Sequence, residues 1–185
     1  GFFRALDYTL PWDADELSDE MPVAIDGLGR WAVGERMLDD LMIGRGPDFV
    51  LGAEWRLGTL PPGHLGWRQA KEIRGEAMEL AAAARTLQQG EASALDIDVD
   101  LGGGRRLTGT VAPLWQDRTV TVTYSKLGAK HRLQAWVTLV ALAAAAPERE
   151  WEAYCIGRGR RNGVDAMGYH PPEQPLSVLR DLVAI

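Results

Sequence analysis

The chain has 185 residues, 46% hydrophobic and 25% charged, which excludes intrinsic disorder and fibrous structure for most of its length. Its most apolar run, Ala135 to Ala146, is interrupted by Thr138 and is shorter than the roughly 20 residues a bilayer-spanning helix requires. The net charge of −6 hides a gradient: residues 1–100 hold 19 acidic and 9 basic side chains, residues 101–161 hold 4 and 10.

One domain of roughly 150 residues with an extension is the expected organisation. The reading places the extension at 1–58 and the core domain at 59–185. Residues 7–26 carry acids, no base, and the breakers Pro11 and Pro22, the pattern of a solvated connector. From Leu28 to Met42 the spacing turns helical, and Gly44 with Gly46-Pro47 ends it. A short helix through Trp55 follows, then the turn Thr59-Leu60-Pro61-Pro62-Gly63. Ala70, Ile73, Ala77, Leu80, Ala84 and Leu87 form one stripe of a long helix closed by Gly90.

Three strands are predicted next. Leu95, Ile97, Val99 and Leu101 alternate with Asp96, Asp98 and Asp100; Gly102-Gly103-Gly104 turns into a strand over Leu107–Leu114; and Thr119–Ser125 alternates β-formers. A largely buried helix over Ala129–Ala146 is expected to turn Leu133, Trp136, Val137 and Val140 inward. Trp151–Ile156 reads as a fourth strand, 157–163 as a loop, and Leu176–Ile185 as a helix that ends abruptly. The Thr119–Ser125 strand is expected to be central, flanked by Leu107–Leu114 and packed on the Ala129–Ala146 helix.

Common catalytic and metal motifs find little support. The Asp96, Asp98, Asp100 triplet lacks the glycine and glutamate of a calcium loop, so an exposed strand edge is the better reading. The glycine run has no Lys-Ser/Thr of a phosphate loop after it. His64, His131 and His170 are far apart and lack ligand-spaced partners, so no metal or other cofactor is expected. Cys155 sits among apolar residues as a small core side chain; being the one cysteine, it forms no internal disulfide. A reducing cytoplasm is the expected location, and the start Gly1-Phe2-Phe3-Arg4 lacks signal-peptide features. Trp12, Trp31, Trp55 and Trp67 are candidates for core or interface anchors.

Helix, three-strand meander, helix, strand is the core order of the PD-(D/E)XK, restriction-endonuclease-like α/β (α+β) fold. Gly109-Thr110-Val111-Ala112-Pro113 resembles the Gly-x-Ile/Val-Asp line of its RecB-like branch, with Ala112 for the aspartate. Val122-Thr123-Tyr124-Ser125 resembles Val-Asp-Tyr-Lys, with Thr123 for the acid and Ser125 for the lysine. Asp26-Gly27-Leu28-Gly29-Arg30-Trp31, Gly34-Glu35-Arg36, Leu60-Pro61-Pro62-Gly63 with Leu65-Gly66, and Lys130-His131-Arg132-Leu133 with Trp136 resemble the C-terminal region of the RecC family.

That resemblance implies a pseudo-nuclease without activity in a RecBCD-type helicase–nuclease, exodeoxyribonuclease V. It implies contact with duplex or forked DNA and with RecB-like and RecD-like subunits, and a chain excised from a longer one. Magnesium needs hard, charged oxygens, which alanine and threonine do not offer, and serine cannot replace an ammonium. Arg105 and Arg106 at the first hairpin turn, Lys126, Lys130 and Arg132 at the start of the buried helix, and Arg158, Arg160 and Arg161 after the fourth strand are the candidate phosphate contacts. Two rivals remain open. One is an active RecB-like nuclease using Asp96, Asp98 or Asp117, with Lys126 turned inward by a bulge. The other is a partner-binding module without DNA contact.

Overall fold

The computed structural model describes residues 25–160 and 163–184. The acidic connector up to residue 24, Trp12 and Arg161 lie outside the described residues. The elements run α1 (Gly27–Met42), α2 (Pro47–Leu57), α3 (Gly63–Leu87), β1 (Ala92–Gly102), β2 (Arg105–Trp115), β3 (Arg118–Lys126), α4 (Ala129–Ala145), β4 (Glu152–Arg158), β5 (Val164–Tyr169) and α5 (Pro175–Leu182). Together they form the mixed α/β, α+β architecture expected of a nuclease-like core.

The helices begin and end where local chemistry dictates. Asp26 caps α1 by accepting from the Gly29 N–H at 2.6 Å. Pro47 opens α2, where a missing N–H costs nothing, and Gly58 closes it in the left-handed conformation. The stripe Ala70, Ile73, Ala77, Leu80 and Ala84 of α3 is buried as its spacing requires.

The five strands form one sheet in sequence order. β1–β2 and β2–β3 are antiparallel, β3–β4 is parallel across the α4 crossover, and β4–β5 is antiparallel. Two apolar layers sandwich the sheet. On one side Val33, Met37, Ile73, Leu80, Val120, Tyr124 and Ile156 join α1 and α3 to β3 and β4. On the other, Ile97, Val99, Leu114, Leu139, Leu142 and Trp151 join α4 to β1 and β4, with Leu179 of α5. Trp151 is fully buried and its indole N–H donates to the Ala146 carbonyl at 2.9 Å.

Four expectations need correction. Tyr124 and Val120 of β3 pack on α1 and α3, whereas α4 lies mainly on β1 and β4. β3 is central, but its described pairing with β2 is limited to Leu114–Thr119 and Trp115–Arg118. Leu133 is 58% exposed because α4 buries the face of Ala135, Leu139 and Leu142 instead. The segment 157–163 is not all loop: β4 runs to Arg158, and a hairpin leads into β5, which sequence patterning missed. β5 is a six-residue edge strand in which Asp165, Ala166 and Gly168 interrupt the apolar Val164, Met167 and Tyr169, so its apolar signal is faint.

Candidate functional site

Thr123 and Ser125, two of the positions that resemble the nuclease motif, sit at an irregularity of the sheet. Val122 pairs with Ile156 and Lys126 with Arg158, so β3 spends four residues where β4 spends two. Within that bulge the main chain of Tyr124 is held by side chains rather than by a neighbouring strand. Its N–H donates to Glu35 Oε2 at 2.8 Å, and its carbonyl accepts from Arg158 Nε at 2.6 Å.

Thr123 and Ser125 both face α1. The Thr123 hydroxyl donates weakly to the Glu35 carboxylate at 3.3 Å and accepts from the Ser125 N–H at 3.1 Å. The Trp31 indole N–H donates to Ser125 Oγ at 2.9 Å. Ala112 is exposed on β2, two residues beyond the last described β2–β3 pair. Glu35 is therefore the one carboxylate among the described residues that is hydrogen-bonded to Thr123, and it is engaged by hydroxyl and main chain. No group of three or more potential metal-ligating side chains occurs among the described residues.

Beneath the bulge lies a charged network that sequence reading did not identify. The Tyr124 hydroxyl donates to Glu76 of α3. Arg30 Nη2 reaches the same carboxylate at 2.7 Å and Arg158 Nη1 at 3.3 Å. The Arg158 guanidinium also lies over the Tyr124 ring, 4.3 Å from its centroid. Burial alone would raise the Glu76 pKa, but the hydrogen bonds from Tyr124, Arg30 and Arg158 hold it below the ordinary carboxylate range. Burial, then the bond to Glu76, pushes the Tyr124 phenol up. The signal in sequence was slight: Arg30 and Glu76 belong to helices whose partner strands are far along the chain.

The fold gathers some of the candidate phosphate contacts and separates others. Lys126 and Arg158 are register partners at the carboxyl ends of the parallel strands β3 and β4. Lys130 and Arg132 follow in the first turn of α4, and Arg160 lies two residues past Arg158. Outside the carboxyl ends of parallel strands is where open α/β sheets offer ligands room. Lys126, Lys130 and Arg160 are exposed and form no ion pair among the described residues. Arg158 is committed inward, and Arg132 Nε is buried without a hydrogen-bond partner among the described residues. Arg105 and Arg106 stand apart at the β1–β2 turn: Arg105 donates to the Val183 carbonyl at 2.8 Å, and Arg106 pairs with Asp98 at 2.6 Å.

The acids of the active-nuclease alternative do not converge. Asp98 is held by Arg106, Asp96 accepts from Thr110 at 2.7 Å, and Asp117 is paired with Arg149 at the opposite end of β3 from Ser125. The bulge exists, yet Lys126 remains exposed. His131 accepts from the Gly128 N–H at 3.3 Å as part of the α4 cap. Cys155 is buried, and burial pushes its thiol pKa up, as for an inert core residue.

Comparison with known proteins supplies the family. Over 186 aligned positions the chain is 58% identical to the RecBCD enzyme subunit RecC of Mycobacterium tuberculosis, and 56% identical to that of Mycolicibacterium smegmatis. Each alignment covers 100% of this chain and 17% of the relative, so the chain spans about a sixth of the length of these proteins. The family model of the RecC C-terminal domain matches residues 1–185. The chain belongs to the RecC C-terminal domain family.

Proposed function

We propose that this chain serves as the non-catalytic, DNA-contacting and subunit-scaffolding domain of a RecC subunit, within a cytoplasmic bacterial RecBCD-type helicase–nuclease that repairs double-strand breaks by homologous recombination. RecB-like and RecD-like subunits are its proposed partners. The observation that carries the reading is the state of Thr123 and Ser125. They occupy the acid and lysine places of the nuclease motif, and both are tied to α1 through Glu35 and Trp31. A single engaged carboxylate with two hydroxyls is a poor home for magnesium, which favours several hard oxygens and retained waters. Without a lysine there is also no cation to stabilise an attacking hydroxide.

The purified chain should leave linear DNA intact with magnesium or manganese. Cleavage that co-purifies through further steps and vanishes in Asp98→Ala or Asp117→Ala would overturn the non-catalytic reading.

DNA contact is assigned to the cations at the carboxyl ends of β3 and β4, namely Lys126, Lys130 and Arg160, with Arg161, Arg132 and Arg158 as further candidates from the neighbouring sequence. Arg105 and Arg106 would extend the contact from the hairpin turn. Reversing Lys126, Lys130 and Arg160 to glutamate should weaken binding to forked duplex DNA and flatten its dependence on salt. About three phosphate contacts would reduce the slope of log K against log salt by roughly 2–3. Unchanged affinity and slope would favour a scaffold that does not touch DNA.

A further inference from the structure

Trp31 combines exposure with a fixed ring. It is 39% exposed on α1, and its one polar atom is already satisfied by Ser125 Oγ at 2.9 Å. What remains available is apolar aromatic surface, held at a set angle by a hydrogen bond to the sheet. Leu28, one turn earlier on the same helix face, is 73% exposed and extends that surface. Trp55, comparably exposed, differs because Trp67 packs edge-on against it with centroids 5.2 Å apart.

The neighbourhood of Trp31 selects the occupant. Ser125 is followed directly by Lys126, and α4 begins three residues further on with Lys130 in its first turn. Arg160 lies just past the register partner of Lys126. These exposed cations offer phosphate neutralisation at the strand ends where the Trp31 ring is anchored to Ser125. The nearest carboxylate on α1, Glu35, is drawn inward by Thr123 and the Tyr124 N–H. Exposed cations at the strand ends where an exposed ring is anchored suit a nucleic acid strand, whose phosphates and base faces alternate. In a duplex the base faces are covered by their neighbours, so only an unpaired or terminal base has a face to offer.

We propose that Trp31 is a stacking platform for an unpaired DNA base, with Lys126, Lys130 and Arg160 holding the adjoining phosphates. The inference rests on the DNA-contact reading above and names the form of DNA that the site takes.

The test uses the protein in its natural complex and a forked duplex with 2-aminopurine at the first unpaired position. Stacking on the indole quenches the probe in the unaltered protein. Trp31→Ala should abolish the quench and weaken fork binding about tenfold, the scale of one base–aromatic stack, with blunt-duplex affinity unchanged. Trp31→Phe should retain most of both effects, because it keeps an aromatic face while losing the N–H. Equal loss on fork and blunt duplex, no loss in Trp31→Ala, or loss of a partner subunit instead of DNA would each overturn the assignment. Absence of any salt-sensitive DNA binding by the unaltered protein would overturn the DNA reading itself, and the platform with it. Thermal melts of both variants separate a folding defect from a stacking defect: a Trp31→Phe protein that melts normally yet neither quenches nor prefers the fork refutes stacking.

Discussion

Gly34→Ala is expected to destabilise the protein by about 2–3 kcal/mol, as overpacking a dense core does. Alanine is ordinarily worth about 1 kcal/mol more than glycine inside a helix, so intrinsic propensity predicts the opposite sign. Packing wins here because a Cβ at Gly34 would overlap the ring of Tyr124. That ring cannot retreat. It is fully buried, its hydroxyl is bound by Glu76, and Arg158 covers one face. Gly75→Ala on α3 is the control, since a Cβ there meets nothing within 4 Å. It should stabilise by roughly 1 kcal/mol. Urea unfolding of the two variants would check both signs. A neutral or stabilising Gly34→Ala would show that α1 and β3 are less closely packed than described.

Arg158→Glu should cost a similar amount, about 2–3 kcal/mol. The upper range for a broken buried pair is larger, but the Arg158 side chain is 24% exposed and solvent screens part of the loss. The variant leaves the Tyr124 carbonyl without its donor and sets two carboxylates together at Glu76. Arg160→Glu, exposed two residues away, should change stability by no more than about 0.5 kcal/mol. The pair thus separates an architectural arginine from a candidate phosphate contact. Reversing both at once, as the loop's charge alone would suggest, would confound them.

Acid provides the cross-check. The Glu76 pKa is depressed in the folded state, so its stabilisation is complete above the unfolded value of about 4.3 and fades as pH falls through the lower folded value. The gap between unaltered protein and Arg158→Glu should therefore narrow on acidification, because protonation removes both the native ion pairs and the variant's repulsion. A gap of constant size from pH 7 to the acid range would show that Arg158 acts through packing alone.

The motifs that pointed to the family acquire physical reasons in the structure. Asp26 is the cap of α1, Gly34 the seat of Tyr124, and Gly66 makes room for the Pro61 carbonyl. His131, in the Lys-His-Arg-Leu segment, receives the Gly128 N–H. Each is a short-range or close-packing requirement, which is why it leaves a mark on a few adjacent residues.

Periodicity and turn chemistry by themselves determined the helices and four of the five strands. These depend on neighbours within a few positions, and side-chain identity states directly that Ala112, Thr123 and Ser125 carry neither carboxylate nor ammonium. Only the tertiary structure decided that Thr123 and Ser125 are tied to Glu35 and Trp31, and that Arg158 faces Glu76 while Lys126 and Arg160 are exposed. The bulge in β3 and the early parting of β2 from β3 opened main-chain positions that α1 and Arg158 fill. Such partnerships join residues more than 30 apart, so no local pattern records them: an arginine at a strand end looks the same in sequence whether its charge is met by a half-buried glutamate or by water.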